Sequence, residues 1–272
     1  MQHLLRLTEW SVVELRTLFA AADRYRLGEG ERYEGAVALF FPPTSLRTRV
    51  AFERGAWLMG LQPISLSSDI LRGTEDATDI VLSLASWVRV VVARLPDIAV
   101  LDRMAAVQAI PVVNAMTAVN HPCEVLSDLY ALAQTRDPLR LRYVFVGADG
   151  NIGRAWWEAG CAFGLNIVQT CPEELRIPGM PWEEDLREAV RTADVILTDG
   201  PGEHAKALEP YRICAEILDL APEGVRFAPC PPYQRGRELA ADALDHPAFV
   251  GHRFKESLLP VQQAVMAWVI RA

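Results

Sequence analysis

Three stretches of this 272-residue chain combine side chains that bind anions or polarise carbonyls. The first is Pro42-Pro43-Thr44-Ser45-Leu46-Arg47-Thr48-Arg49, which follows an apolar run ending in Phe40-Phe41 and precedes a helical pattern. Thr44 or Ser45 is placed to cap that helix, leaving its first N–H groups pointing outward. Free amides, two hydroxyls and an arginine at a helix N-terminus suit a phosphate. The arginines also oppose the helix dipole by roughly 0.3–1 kcal/mol each, so an anion is expected to compensate. An ordinary capped helix whose arginines pair with Glu53 reads equally well. The second stretch ends in Arg94, directly after the apolar residues 88–93. A basic side chain at the end of a buried strand needs a partner, either a ligand or a carboxylate such as Asp79. The third begins Asn120-His121-Pro122-Cys123-Glu124. Taken alone, His121 is a surface or capping residue.

These residues need elements to hold them. Short apolar runs at 35–41, 61–66, 88–93 and 110–113, then 143–147, 165–170, 194–198 and 225–228, read as strands. Helical spacing lies between them, as in 47–59, 76–87 and 152–163. Continuous apolar strands each followed by a helix predict parallel sheets covered on both faces. The polar break Thr135-Arg136-Asp137-Pro138 follows a long helix over 122–134 and favours two sheets of four strands over one of eight. The expected fold is therefore α/β: two doubly wound domains, 1–134 and 135–250, linked by long helices, with 251–272 a C-terminal helix packing back on the first. Ligands of such sheets bind at the carboxyl ends of the strands, where the three stretches fall.

Composition narrows the function classes. With 51% hydrophobic residues the chain has ample material for a core, and 23% charged residues argue against disorder. A net charge of −8 without a long basic run argues against nucleic-acid or anionic-membrane partners. The N-terminus lacks a basic segment followed by an apolar stretch, and a cytoplasmic protein is expected. Cys123, Cys161, Cys171, Cys214 and Cys230 have no paired spacing, so neither a disulfide frame nor a metal site is indicated.

The stretch 41–60 resembles the carbamoyl-phosphate signature of the aspartate and ornithine carbamoyltransferases, Ser-Thr-Arg-Thr-Arg before a helix, with Leu46 replacing the first threonine. The resemblance implies that Ser45, Leu46 (through its N–H), Arg47 and Thr48 hold the phosphate. Arg49 is then structural. It also implies that Arg94, which the family follows closely with a proline like Pro96, contacts the carbamoyl carbonyl. His121 and Glu124 match the family's His-Pro-x-Gln element. His121 would donate to the carbamoyl oxygen, and Glu124, replacing the glutamine, would meet the carbamoyl NH₂. Arg72 stands where the family borrows a basic residue from a neighbouring subunit, although a solvated loop arginine is an equal reading. The implied enzyme is a homo-oligomer, a trimer, with Thr48, Arg94 and His121 as catalytic donors and no cofactor or metal.

The second half is more divided. Val146-Gly147-Ala148-Asp149-Gly150-Asn151-Ile152-Gly153 has the spacing of a dinucleotide turn, but no acidic residue ends the next strand. In the carbamoyltransferase reading, Asn151 matches an amino-acid-binding asparagine of the ornithine enzymes, or Arg154 matches a carboxylate-binding arginine of the aspartate enzymes. Asp199 and Cys230 match further ornithine-enzyme positions. Around them Gly200-Pro201-Gly202-Glu203, Pro229 and Leu258 depart from the pattern. The expectation is transfer of a carbamoyl group from carbamoyl phosphate to a small amine or amino acid, other than standard ornithine or aspartate. The alternatives are a non-catalytic relative that binds or scaffolds, and a nicotinamide-dependent oxidoreductase.

Overall fold

Residues Ala36–Phe41 carry no polar side chain and are buried at every position as strand β1. A strand hidden on both faces belongs in the interior of a sheet. In the computed structural model, which describes residues 1–271, β1 is flanked by β2 (Gln62–Ser67) and β3 (Val90–Arg94), and β4 (Val112–Met116) follows β3. All three pairings are parallel. The second sheet repeats the plan with β5 (Arg142–Val146), β6 (Asn166–Thr170), β7 (Val195–Thr198) and β8 (Arg226–Pro229), in the order β6-β5-β7-β8. The two doubly wound, four-stranded parallel sheets expected from the pattern are thus present. In each, the chain reverses its direction of winding between the two central strands, β1 and β3 or β5 and β7, and their carboxyl ends open the crevice where ligands bind.

The chain divides into two compact units. One holds Met1–Tyr130 and the residues from Glu256 onward, the other Ala131–Lys255. In the first, α1 (Val12–Arg26), α2 (Arg47–Leu58), α3 (Ala77–Leu84) and α4 (Ile98–Ala106) join the strands, and α5 (Pro122–Ala133) runs to the boundary. The C-terminal helix Leu258–Arg271 packs on α1 and α2, stacking Trp268 on Trp10 with ring centroids 4.3 Å apart. In the second unit α6 (Asn151–Phe163) follows β5 and ends at Gly164, whose φ of 70° is the left-handed conformation that glycine adopts freely.

Two local expectations are corrected. Strand β2 is not covered on both faces: four of its six residues are exposed, Ile64 among them. It is the edge of its sheet, and its polar residues Gln62, Ser65 and Ser67 are the signal that length and apolarity concealed. Nor does Thr44 or Ser45 cap α2. The cap residue is Leu46, with no side-chain cap hydrogen bond. Among the described residues no helix is long and apolar enough to cross a membrane.

Candidate active site

The carboxyl ends of β1, β3 and β4 gather the first-half candidates. From the β1–α2 turn, Ser45 and Thr48 are buried, at 5% and 4% exposure, while Leu46 and Arg47 face outward. From the end of β3, half-buried Arg94 donates through Nη1 to Ser45 Oγ at 3.4 Å. This contact joins two candidates that lie 49 residues apart in sequence. The helix end therefore supplies amides without a side-chain cap, beside a buried hydroxyl and a guanidinium, which is a suitable setting for a dianion.

Arg94 is aimed by a local irregularity. The β3–β4 register slips between Ala93 and Arg94, and Arg94 comes to lie opposite Met116. Met116 has a φ of 158°, a value that side-chain-bearing residues seldom adopt. Bulges and strained residues re-aim side chains at functional edges. No residue type in Val112–Met116 announces this, and the sequence reading missed it.

Also unforeseen is the framework beneath His121. The N-terminal segment lies along β4, with Asn114 N–H donating to Leu4 O at 2.7 Å. Asn114 Nδ2 donates to Leu5 O and to Asn120 Oδ1, at 2.9 and 2.6 Å. Asn120 Nδ2 also reaches Leu5 O, and Thr117 closes the turn with Asn120. Asn114 and Asn120 are both fully buried, so the loop that delivers His121 is fixed from below. His121 and Glu124 are buried as well, with Nε2 and Oε2 3.8 Å apart.

The remaining candidates of this unit lie elsewhere. Arg49 is tied to Glu53 at 2.8 Å, which fits a structural role. Arg72 is exposed and paired with Asp69 at 2.5 Å. Asp79 occupies the exposed side of α3.

In the second unit, Gly147, Asn151, Asp199 and Cys230 stand at or just beyond the carboxyl ends of β5, β7 and β8. Asn151 opens α6. Arg154 is held by Asp149 through two bonds, Nε–Oδ1 at 2.5 Å and Nη2–Oδ2 at 2.9 Å. That edge of its guanidinium is thereby occupied. Asp199, Tyr211, Arg237 and Glu238 line a cavity of ≈ 10 Å³, about the room of one water. Tyr211 and Arg237 carried no motif and were not anticipated. Gly153 has a packing reason independent of nucleotides. A Cβ there would lie 2.6 Å from the Phe145 ring and 2.7 Å from Ile177. We expect Gly153→Ala to destabilise this unit by about 1–3 kcal/mol, measured by denaturant unfolding. Among the described residues no group of three or more His, Cys, Asp or Glu side chains is placed to hold a metal.

Comparison with known proteins agrees with this geometry. Residues 2–134 match the family model for the aspartate/ornithine carbamoyltransferase carbamoyl-P binding domain. Ornithine carbamoyltransferase of Nitrobacter winogradskyi is 30% identical over 306 residues, covering 100% of this chain and 98% of the relative. That of Methanothermobacter thermautotrophicus is 30% identical over 308 residues, covering 99% of each. Among solved structures, ornithine carbamoyltransferase from Pyrococcus furiosus superposes with a TM-score of 0.92 at 26% identity, covering 100% of this chain and 97% of that one. The turns after β1 and β5 are thus parts of one inherited scaffold, and the chain belongs to the aspartate/ornithine carbamoyltransferase family of enzymes.

Proposed function

We propose that this chain transfers the carbamoyl group of carbamoyl phosphate to the side-chain amine of an ornithine-like amino acid. The observation that carries the donor half is the convergence of Ser45, Thr48 and Arg94 at an uncapped helix start beside the loop of His121. Ser45, Leu46 N–H, Arg47 and Thr48 hold the phosphate. Thr48, Arg94 and His121 face the carbonyl, and Glu124 accepts from the carbamoyl NH₂. The neutral amine attacks the carbonyl carbon, a C–N bond forms, the C–O bond to phosphate breaks, and the amine proton leaves with the phosphate. Charge builds on the carbonyl oxygen, where preorganised donors act most strongly. Holding both reactants in line supplies much of the remainder.

For the acceptor, the relatives described above are all named ornithine carbamoyltransferases, and they give no support to the expectation of a different amine. The Asp149–Arg154 pair favours the same side, because a guanidinium whose Nε–Nη2 edge is already held by a carboxylate has less to offer a substrate carboxylate. Asn151 and Asp199 then serve the amino-acid end, with Cys230 beside them. One set of observations favours a relative of ornithine instead. Gly200-Pro201-Gly202-Glu203 and Pro229 replace residues of the ornithine pattern, so a diamino acid of different length is the second candidate. Arg154→Ala should change the acceptor KM less than threefold, whereas Asp199→Ala should raise it at least tenfold, as a lost charge-assisted bond implies. Steady-state kinetics with both diamino acids reads this directly.

The oligomer belongs to the same proposal. The exposed edge β2 and the outward Leu46, Val50, Trp57 and Ile64 suit a subunit contact, and Arg72 would reach a neighbouring site in a trimer. Light scattering gives the mass. The defining experiment is phosphate release and ureido product from carbamoyl phosphate with an acceptor panel. Tight binding of carbamoyl phosphate without product from any amine would establish a non-catalytic relative instead.

A further inference from the structure

We propose that Glu124 has a second role in carbamoyl transfer beyond its contact with the carbamoyl NH₂: paired with His121 inside the protein, its carboxylate maintains a positively charged imidazolium at the carbonyl end of the site. This inference rests on the carbamoyl-transfer reading above. The geometry is that of a buried pair one helical turn apart, with Nε2 of His121 and Oε2 of Glu124 separated by 3.8 Å and side chains 5% and 7% exposed. A buried charge survives only when compensated, so each partner favours the ionised form of the other.

The surroundings divide in sign. Glu124 lies in the first turn of α5, where the helix dipole favours a carboxylate and disfavours the cation that precedes it. Arg94 stands at the end of the neighbouring strand and also opposes a second positive charge. Asp128, buried one turn further along α5, supports it. Cys123 between the two partners remains a neutral thiol, because burial pushes it well up and the charge of Glu124 adds to the effect. A glutamine at position 124 would leave His121 facing the dipole and Arg94 with no nearby counter-charge in the first turn. The glutamate makes the histidine a cationic donor, which binds a developing oxyanion more strongly than a neutral ring does. No covalent step is added. The imidazolium keeps its proton, and the proton of the amine departs with phosphate as before.

The competing account is a first-turn carboxylate that merely caps α5. That role moves thermal stability and leaves the pH dependence alone, so the two separate cleanly. The pH profile of kcat for the wild type, Glu124→Gln and Glu124→Asp is compared, together with the titration of the His121 ring by NMR. The His121 signal is assigned by its loss in His121→Asn. We expect Glu124→Gln to move the alkaline limb, and the ring titration with it, about one unit lower. Glu124→Asp, which withdraws the charge by one methylene, should lie between and decides the matter if the glutamine variant does not fold. Coincident limbs and ring titrations in all three proteins would overturn the proposal. Should the wild type turn over no amine at all, the functional reading fails, while the ring titration still decides the pair.

Discussion

Arg94→Ala is expected to lower kcat/KM for carbamoyl transfer by about 10²–10³-fold with the fold intact, the loss typical of removing one preorganised donor to a developing oxyanion. The side chain stands at the carboxyl end of β3 and is only half-buried, so truncating it opens no core cavity. The register slip and the strained Met116 opposite it would remain, and with them an unaltered backbone. The same substitution also frees Ser45 Oγ from its contact, and carbamoyl phosphate binding should weaken along with turnover. Arg94→Lys should recover little, since an ammonium cannot span a carbonyl and a hydroxyl as a planar fork does. Steady-state kinetics with a thermal melt checks both parts. A fall of less than tenfold, with unchanged melting, would place Arg94 away from the reacting oxygen and make it a partner of Ser45 alone.

How much of this site could be read from residues alone varies with the kind of information each residue holds. The two parallel sheets were legible because β1, β3, β5 and β7 are apolar at nearly every position, as strands covered on both faces require. The turn after β1 stood out in the sequence because its residue types are costly at a helix start unless an anion is near. Its cap did not. Sequence shows two hydroxyls before the helix, but which backbone atom the chain leaves exposed depends on φ and ψ at Leu46. Edge strand β2 was misjudged because Leu61 and Leu66 flank polar residues in a short window, where periodicity cannot separate edge from centre. Arg154 shows a different limit. The sequence left it open as a carboxylate receptor, and only geometry reveals that Asp149, five residues away, already engages Nε and Nη2. The framework of Asn114 and Asn120 was invisible because its acceptor, Leu5 O, is a backbone atom more than one hundred residues distant.

That framework carries the largest expected effect on stability. Asn120→Ala removes one of the two donors to Leu5 O, Nδ2, and the single acceptor Oδ1 that Asn114 Nδ2 and Thr117 Oγ1 share. Asn120 is fully buried, so water does not readily replace these bonds. Each buried group left poorly satisfied costs about 1–3 kcal/mol, and one of the two bonds at Leu5 O persists through Asn114. A total near ~3 kcal/mol follows, which lowers Tm by roughly 6–12 °C in a chain of this size. Activity should fall with it, because Asn120 immediately precedes His121 and fixes the loop that presents the ring. The double substitution Asn114→Ala with Asn120→Ala should destabilise by clearly less than the sum of the two single changes, since each single change already breaks their shared bond. Differential scanning calorimetry of the three variants supplies the cycle. Strict additivity, or a Tm loss below about 2 °C for Asn120→Ala, would show that the N-terminal segment and the His121 loop are held independently. In that event the substitution would leave carbamoyl transfer at the wild-type rate, and the link drawn between the first residues of the chain and its histidine would have to be abandoned.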